Sequence, residues 1–119
     1  MNKVIIDGVT YVPENETYEM AEDLNGMPYC MVRTYSAGVF AGYLAHREGK
    51  EVILKKARRI WYWDGAATLS QLAMEGTKKP ENCKFPCEVD EVILTEAIEI
   101  IKITKRAKES INMVPIWEA

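Results

Sequence analysis

Two arginines stand close to three aromatic residues in the middle of the chain. Arg58 and Arg59 are separated by a single isoleucine from Trp61, Tyr62 and Trp63. Guanidinium groups form paired hydrogen bonds with phosphate oxygens, and flat indole rings stack on planar rings such as nucleobases. This stretch therefore predicts a site for a ligand that carries both a phosphate and a planar ring. The competing interpretation is that the tryptophans belong to the core or to an interface.

A second candidate site lies earlier in the chain. Arg33, Thr34 and Ser36 combine a guanidinium with two hydroxyls, and Gly38 follows as a turn residue. These groups suit contacts with phosphate or ribose oxygens. They also suit an ordinary hairpin, so the motif alone does not decide between a ligand site and a turn.

Two cations begin the last predicted helix. Thr104 is a good helix cap, and Lys105 and Arg106 follow it in the first turn. Positive charge at this end opposes the helix dipole unless an anion binds there. Arg106 is therefore a phosphate candidate, and the alternative is a solvated charge on an exposed turn.

Length and composition predict one small domain. The chain has 119 residues, of which 48% are hydrophobic, which is enough for a single core. No apolar run approaches the roughly 20 residues that a transmembrane helix needs, and residues 1–7 do not resemble a secretory signal. Three cysteines, an odd number, fit a reducing compartment. We therefore predict a cytoplasmic protein with no membrane partner.

The charge is unevenly distributed along the chain. The net charge of −3 argues against a general coat for nucleic acid polymers. Residues 46–60 nevertheless carry six bases against two acids, whereas residues 1–29 carry six acids and one base. A local positive field in a mildly acidic protein suits a small anion better than a polymer. The alternative is that the basic run is one solvated face of a strand.

The elements that would position these residues are mostly strands. Two short apolar runs flank Asp7 and Gly8, which is a strong signal for a two-residue hairpin. Residues 14–26 are predicted as a loop, with a short helix over 18–24 as the alternative. Within a later strand, Gly42 allows a bulge or a close backbone approach. The strands predicted in the first half are residues 4–6, 9–12, 29–35, 39–45 and 52–63.

The two arginines point to opposite sides of the sheet if the strand over 52–63 is regular. Side chains alternate along a strand, so Arg59, Trp61 and Trp63 share one face and Arg58 lies on the other, unless a bulge intervenes. At most one of the two arginines therefore lies beside the tryptophans.

The next segment combines a helix with an edge strand. Asp64 is a candidate N-cap for a helix over 66–75 that stops at Gly76. Residues 85–89 are predicted as an edge strand because Pro86 cannot donate a hydrogen bond to a ladder.

The last third of the chain is the most ambiguous. Its β-branched residues favour strands over 91–104 that are buried on both faces and broken near Glu96, and a helix over 91–101 is the rival. Thr104 then caps a helix over 105–113. The predicted fold class is therefore α+β, a small antiparallel sheet with one or two short helices in a single domain.

Neither a catalytic site nor a metal site is predicted. Cys30, Cys83, Cys87 and His46 could supply a zinc set, but their spacing is loose, and buried free thiols are the better interpretation. The nucleophile-elbow, Walker, Rossmann and HExxH motifs do not occur in the sequence. His46 is the sole candidate for an acid–base group near neutral pH, and it has no obvious partner. We predict a protein that is not an enzyme and holds no cofactor.

Four segments of the chain resemble a known phage family. They are VRTYSAGV (32–39), ARRIWYWDGAATLSQLA (57–73), KPENCKF (79–85) and EAIEII (96–101). Together they resemble the first type of Thoeris anti-defence proteins, which are viral sponges for immune second messengers. The similarity covers roughly residues 30–117. It implies a ligand-binding α+β part over 30–119 that follows a variable hairpin and acidic loop over 1–29.

This resemblance implies binding without catalysis. Proteins of this kind sequester glycocyclic ADP-ribose made by a bacterial TIR-domain enzyme, so that the effector that would deplete NAD is not activated. The resemblance also implies homodimers that assemble further, in the cytoplasm of an infected bacterium. Some members additionally hold cyclic di- or trinucleotides of the CBASS defence system at a separate site.

The ligand that the resemblance implies has two phosphates, riboses and an adenine. Guanidinium groups, hydroxyls and stacking rings match these parts. The candidate ligand-binding residues are Arg33, Thr34, Ser36, Arg58, Arg59, Trp61, Trp63, Asn82, Phe85 and Arg106. The isoleucine-rich segment over 92–103 and Trp117 would serve a symmetric dimer interface.

Two other functions stay open. One is a phage enzyme that cleaves the nucleotide signal, with His46 as its base. The other is a protein-binding phage module in which the aromatic residues form an interface and no small ligand binds.

Overall fold

One antiparallel sheet organises the chain. The computed structural model describes residues 19–119 and, as backbone only, residues 4–6 and 9–11. In this part of the chain five antiparallel strands form one sheet that packs against two short helices, which confirms the predicted fold class. The strands are β1 (Val4–Ile6), β2 (Val9–Tyr11), β3 (Tyr29–Thr34), β4 (Val39–Glu48), β5 (Glu51–Arg59), β6 (Glu88–Leu94) and β7 (Ala97–Lys102), and the helices are α1 (Leu69–Glu75) and α2 (Lys105–Met113).

The two N-terminal strands pair as predicted. β1 and β2 are antiparallel, with Ile6 opposite Val9. The predicted turn residues Asp7 and Gly8 lie outside the described residues, as does much of the acidic loop. Residues 19–28 form a loop without a helix, so the loop alternative is correct for that part.

The five-stranded sheet is strongly curled. Its order is β6-β5-β4-β3-β7, so β6 and β7 occupy opposite edges. Only Thr95 and Glu96 connect them, which limits the Cα separation of Leu94 and Ala97 to about 11 Å. In a flat sheet of five strands the edge strands would be about 19 Å apart. The edges therefore approach each other at this end of the sheet, where the Ala97 amide donates a 3.0 Å hydrogen bond to the Lys50 carbonyl in the turn between β4 and β5.

An apolar cluster covers each face of the curled sheet. The larger cluster lies between the sheet and the helices and includes Met31, Tyr43, Leu72, Phe85 and Ile111. The smaller cluster lies on the face that the curl encloses and includes Val32, Phe40, Val52, Leu54 and Leu94. Because the smaller cluster draws on both edge strands, its burial favours the curled form of the sheet.

A bulge in β5 decides which side chains face which cluster. Ala41 pairs with Arg58 and Tyr43 pairs with Lys55, so β5 has one residue more than β4 across this step. Lys56, at φ 49°, lies within the bulge. A Cβ on the facing Gly42 would lie 3.0 Å from the Cα atom of Ala57 and 3.1 Å from the Lys55 carbonyl oxygen. The predicted bulge or close approach at Gly42 is thereby confirmed.

Strand β5 is shorter than predicted. It ends at Arg59 instead of Trp63, because its partner β4 begins at Val39 and offers no further backbone to pair with. The Ile60 amide donates a last hydrogen bond of 2.8 Å to the Val39 carbonyl, and beyond it Tyr62 forms only an isolated bridge.

Helix α1 begins later than predicted. Its N-cap is Thr68, whose hydroxyl accepts the Gln71 amide at 3.1 Å, and not Asp64. The Asp64 carboxylate instead accepts hydrogen bonds from the Gly65 backbone amide and from the Asn82 side chain. Within the described residues, neither helix is long or apolar enough to cross a membrane.

The strands of the last third form, and the rival helix over 91–101 does not. The break falls at residues 95–96, next to the predicted position. The prediction that these strands are buried on both faces is wrong, because each strand has one face that the rest of the described chain leaves uncovered. As a result Val89, Ile93 and Ile98 are exposed.

Candidate functional site

A groove of about 500 Å³ lies between the β3–β4 turn and the segment that follows β5. The turn supplies hydroxyl and backbone groups, and the segment supplies a guanidinium and two indoles. The lining residues are Ser36, Ala37, Gly38, Val39, Arg59, Ile60, Trp61 and Trp63. The structure thus brings together four of the ten predicted ligand residues, namely Ser36, Arg59, Trp61 and Trp63.

Arg59 carries the positive charge of this groove. Its guanidinium carbon lies over the Phe40 ring, 4.3 Å from the ring centre, where the cation is attracted to the face of the ring. One terminal nitrogen, Nη1, donates to the carbonyl oxygen of Ala37 in the β3–β4 turn. A guanidinium has five N–H donors, so this contact leaves others for an anion in the groove. The prediction that at most one arginine of the pair lies beside the tryptophans is confirmed.

The two indoles of the groove differ in exposure. Trp61 is 62% exposed, whereas Trp63 is half-buried and packs against the larger apolar cluster. Trp61 also lies parallel to Trp117, with ring centres 6.3 Å apart and an angle of 3° between the planes. An exposed ring of this kind can stack on a planar ligand without first leaving the core.

Arg58 is buried and forms its hydrogen bonds inside the protein. It is 7% exposed and donates hydrogen bonds to four backbone carbonyls. The acceptors are Pro86 at 2.9 Å, Ile111 at 2.9 Å, Phe85 at 3.1 Å and Val114 at 2.8 Å. Burial lowers the pKa of the guanidinium from its ordinary value. The bulge in β5 turns Arg58 toward the helices, so of the two alternatives predicted for a phosphate contact, Arg58 or Arg59, it is Arg59 that lines the groove.

The side chains of Thr34 and Phe85 are also buried and contact other groups of the protein. The Thr34 hydroxyl donates to the Gly38 carbonyl at 2.7 Å and accepts the Ala37 amide at 2.9 Å, so it closes the β3–β4 turn. Phe85 is fully buried, and its ring centre lies 5.4 Å from the Arg58 guanidinium carbon. Neither side chain lines the groove.

Arg33 and Asn82 are exposed but lie outside the groove lining. Arg33 donates from Nε to a Glu99 carboxylate oxygen at 3.0 Å. Asn82 donates to the Asp64 carboxylate at 3.0 Å, and this hydrogen bond is the main cause that lowers the pKa of Asp64. Both side chains are thus paired with carboxylates of the chain itself.

The start of helix α2 is covered by the chain. The amide of Lys105 donates to the Glu19 carbonyl at 2.8 Å, and that of Ala107 donates to the Thr104 hydroxyl at 3.1 Å. These contacts occupy donors that an anion would need. Arg106 is exposed on this turn and does not line the groove.

Comparison with known proteins identifies the family. The model of the family described as "Domain of unknown function (DUF6948)" matches residues 27–111, more than two thirds of the chain. The chain belongs to the DUF6948 family. No curated protein and no solved structure matches it. The DUF6948 region contains the whole groove lining and ends before Trp117.

The acid–base candidate of this DUF6948 protein lies away from the groove. His46 is exposed on β4, and its Nε2 atom lies 3.8 Å from a Glu48 carboxylate oxygen. It does not line the groove. In the part of the chain that the structure describes, no three side chains of His, Cys, Asp or Glu are grouped as metal ligands.

An aromatic surface beside the groove was not predicted as part of the site. Trp117 stacks on Trp61, and the Lys84 ammonium lies 5.6 Å from the Trp117 ring centre and 6.0 Å from that of Tyr62. Phe85 forms a parallel bridge with Ile116, which brings the C-terminal segment to this place. From the sequence, Trp117 was predicted only as part of a dimer interface of this DUF6948 protein, and its contact with Trp61 was not predicted.

Proposed function

We propose that this DUF6948 protein binds a small phosphorylated nucleotide in the groove and leaves it chemically intact. The ligand class is a cyclic ADP-ribose isomer, specifically glycocyclic ADP-ribose. The protein would act as a phage anti-defence sponge that blocks Thoeris immunity in the cytoplasm of the infected host. The observation that carries the proposal is that one free guanidinium edge and two indoles line the same groove.

The dimensions and chemistry of the groove support a nucleotide. Its volume of about 500 Å³ lies within the range of small-molecule sites, roughly 300–1,000 Å³. Arg59 would bind a phosphate, Trp61 would stack on the base, and the Ser36 hydroxyl would contact a ribose or phosphate oxygen. The apolar Val39 and Ile60 would exclude water from the sugar.

The lining residues support binding over cleavage. Among the described residues that line the groove, none is Asp, Glu, His or Cys. The nearest acid–base contact is indirect, since the Ser36 hydroxyl donates to a Glu96 carboxylate oxygen. An enzyme would need a positioned general base, and Glu96 is the residue to examine if turnover is found.

A second copy of the chain would strengthen such a site. Affinity of about nanomolar order corresponds to roughly 12 kcal/mol, and an open groove seldom supplies it. The exposed Val89, Ile93 and Ile98 on the two edge strands would be buried in a homodimer or higher homo-oligomer. Cyclic di- or trinucleotides would then occupy a second site of that assembly.

The deciding experiment measures capture and release. Purified protein is mixed with glycocyclic ADP-ribose, the free ligand is separated by ultrafiltration, and the retained fraction is released by heat and analysed by mass spectrometry. We expect depletion of the free ligand and recovery of the intact molecule. Recovery of a hydrolysed product would replace the proposal with a nucleotide-cleaving enzyme. Cyclic di- and trinucleotides are tested in parallel for the second site.

A protein-binding module is the second candidate function. It is favoured by the exposed aromatic surface of Trp61, Tyr62 and Trp117, since such patches often mark protein interfaces. Absence of both heat and thermal shift with every nucleotide would favour this function over the sponge.

A further inference from the structure

Trp61 and Trp117 form a parallel pair at the margin of the groove. Trp61 lines the groove. Trp117 does not line it, but its ring is stacked parallel to the Trp61 ring. Both rings are partly exposed, at 62% and 47%. One ring of the pair is therefore in contact with the groove, and the other is in contact with the first ring.

Buried anchors fix the position of Trp117. The Arg58 guanidinium donates to the Val114 carbonyl at 2.8 Å, and the Trp117 amide donates to the Phe85 carbonyl at 3.0 Å. Ile116 forms a parallel bridge with Phe85. The backbone that leads to Trp117, and the Trp117 amide itself, are thus tied to the core, although the ring is near solvent.

We propose that residues 114–117 are a positioning element of the nucleotide site, in which Trp117 holds the Trp61 indole in the orientation that stacks on the ligand ring. This inference rests on the proposed function of the groove. Trp117 is a positioning residue, because it acts through Trp61 and does not touch the ligand. The element lies beyond the DUF6948 match, which ends at residue 111.

Preorganisation is the physical reason for this role. A solvent-exposed tryptophan adopts several rotamers, and ordering such a side chain on binding lowers affinity. Stacking on Trp117 orders the Trp61 ring before the ligand arrives, because parallel offset rings attract each other. Loss of this partner should weaken binding of a ring-bearing ligand by about three- to tenfold.

The test compares three variants of the full chain. Trp117→Ala removes the stacking ring but keeps the backbone hydrogen bond to Phe85, and Trp117→Phe keeps an aromatic ring. Met113→Ala is the matched control, because Met113 is an exposed apolar residue of the same C-terminal region. Calorimetric titration with glycocyclic ADP-ribose gives Kd, and near-UV circular dichroism reports the indole pair.

Each outcome has a distinct meaning. We expect Trp117→Ala to raise Kd about three- to tenfold and to change the near-UV spectrum, Trp117→Phe to restore most of the affinity, and Met113→Ala to behave as wild type. Thermal unfolding of all three variants should stay close to that of wild type. Equal Kd values for wild type and Trp117→Ala would overturn the inference alone. Absence of binding by wild type would overturn the proposed function, and the inference with it.

Discussion

Arg58 donates a hydrogen bond of 2.8 Å from Nη2 to the carbonyl oxygen of Val114, which joins the sheet to the segment that follows helix α2. Its neighbour Arg59 points to the opposite side of β5 and lines the groove. One pair of adjacent arginines therefore serves two purposes. The first holds the C-terminal segment in place, and the second places a guanidinium in the groove, where the proposed ligand would bind.

Replacement of Arg58 should destabilise the fold strongly. Arg58→Ala would leave four backbone carbonyls without their donors in a largely buried place, and an unpaired buried acceptor costs about 1–3 kcal/mol. We expect the free energy of unfolding to fall by about 3 kcal/mol or more, because several buried acceptors lose a charged donor at once. Urea unfolding followed by circular dichroism measures this change.

Arg59→Ala is the matched control for that measurement. Arg59 is exposed, so its removal should lower the free energy of unfolding by less than about 1 kcal/mol. Arg58→Lys should recover only part of the loss, because one ammonium has three donors and lacks the planar fork. Similar stabilities for Arg58→Ala and Arg59→Ala would contradict the structural role of Arg58.

Gly42→Ala should also destabilise the protein. The new Cβ would meet the Cα atom of Ala57 at 3.0 Å and the Lys55 carbonyl oxygen at 3.1 Å, and backbone atoms yield poorly. We expect a loss of about 1–3 kcal/mol in the free energy of unfolding, as for other overpacked sites.

Gly49→Ala serves as the comparison for Gly42→Ala. No atom lies within 4 Å of its new Cβ, and its cost comes only from the left-handed conformation at φ +59°, about 1 kcal/mol. If Gly42→Ala unfolded at the same urea concentration as wild type, the close approach of β4 and β5 would be refuted.

Alkaline pH should weaken the fold through Cys30. Burial raises the pKa of its thiol from 9.0 to about 11. Between these values the unfolded chain has lost the proton and the folded chain still holds it, so the folded state binds more protons and stability falls as pH rises. The stability that the protonated Cys30 thiol contributes is complete below pH 9 and is lost as pH rises through 11. The loss is on the order of 2 kcal/mol.

Unfolding by urea at pH 8, 9, 10 and 11 tests this dependence. Cys30→Ala should show a smaller alkaline loss than wild type, whereas Cys87→Ala should follow wild type because Cys87 is exposed. Part of the loss of stability at alkaline pH should persist in Cys30→Ala, since burial also raises the pKa of Tyr29. If the free energy of unfolding fell equally steeply with pH in wild type and in Cys30→Ala, a buried neutral thiol at Cys30 would be contradicted.

Local signals in the sequence were sufficient for most of the fold. The Gly76 stop of α1 and the Thr104 cap of α2 lie where predicted, because both depend on a few neighbouring residues. Asp64 was wrongly predicted as the N-cap of α1, because its carboxylate accepts a hydrogen bond from Asn82, which is distant in the sequence. The Thr68 cap, with Gln71 three residues later, carries its own local signal.

The site depended on contacts that no local pattern contains. Alternation alone correctly separates Arg58 from Arg59, but it does not reveal which one is buried. That choice is made by the bulge at Lys56 and by carbonyls that lie far along the chain. The sequence likewise does not show whether the Phe85 ring is exposed. The structure shows that it is buried between the sheet and the helices.

The final prediction concerns ligand affinity. Arg59→Ala should weaken binding of glycocyclic ADP-ribose by about 1.5–3 kcal/mol, or roughly 10- to 150-fold, because it removes a charge-assisted hydrogen bond to phosphate. The fold should survive, since the side chain is exposed and its contacts include the Phe40 ring and a single hydrogen bond to the Ala37 carbonyl among the described residues. Calorimetric titration of both proteins gives the two Kd values.

Arg106→Ala is the charge-matched control, because Arg106 is an exposed arginine that does not line the groove. It changes the net charge by the same amount, so it corrects for the general attraction between a basic surface and an anion. We expect its Kd to stay within about twofold of wild type, the scale of a surface change. A loss of affinity in Arg106→Ala that equals or exceeds the loss in Arg59→Ala would move the ligand site to the start of helix α2. Equal affinities for wild type and Arg59→Ala would remove the groove arginine from the site.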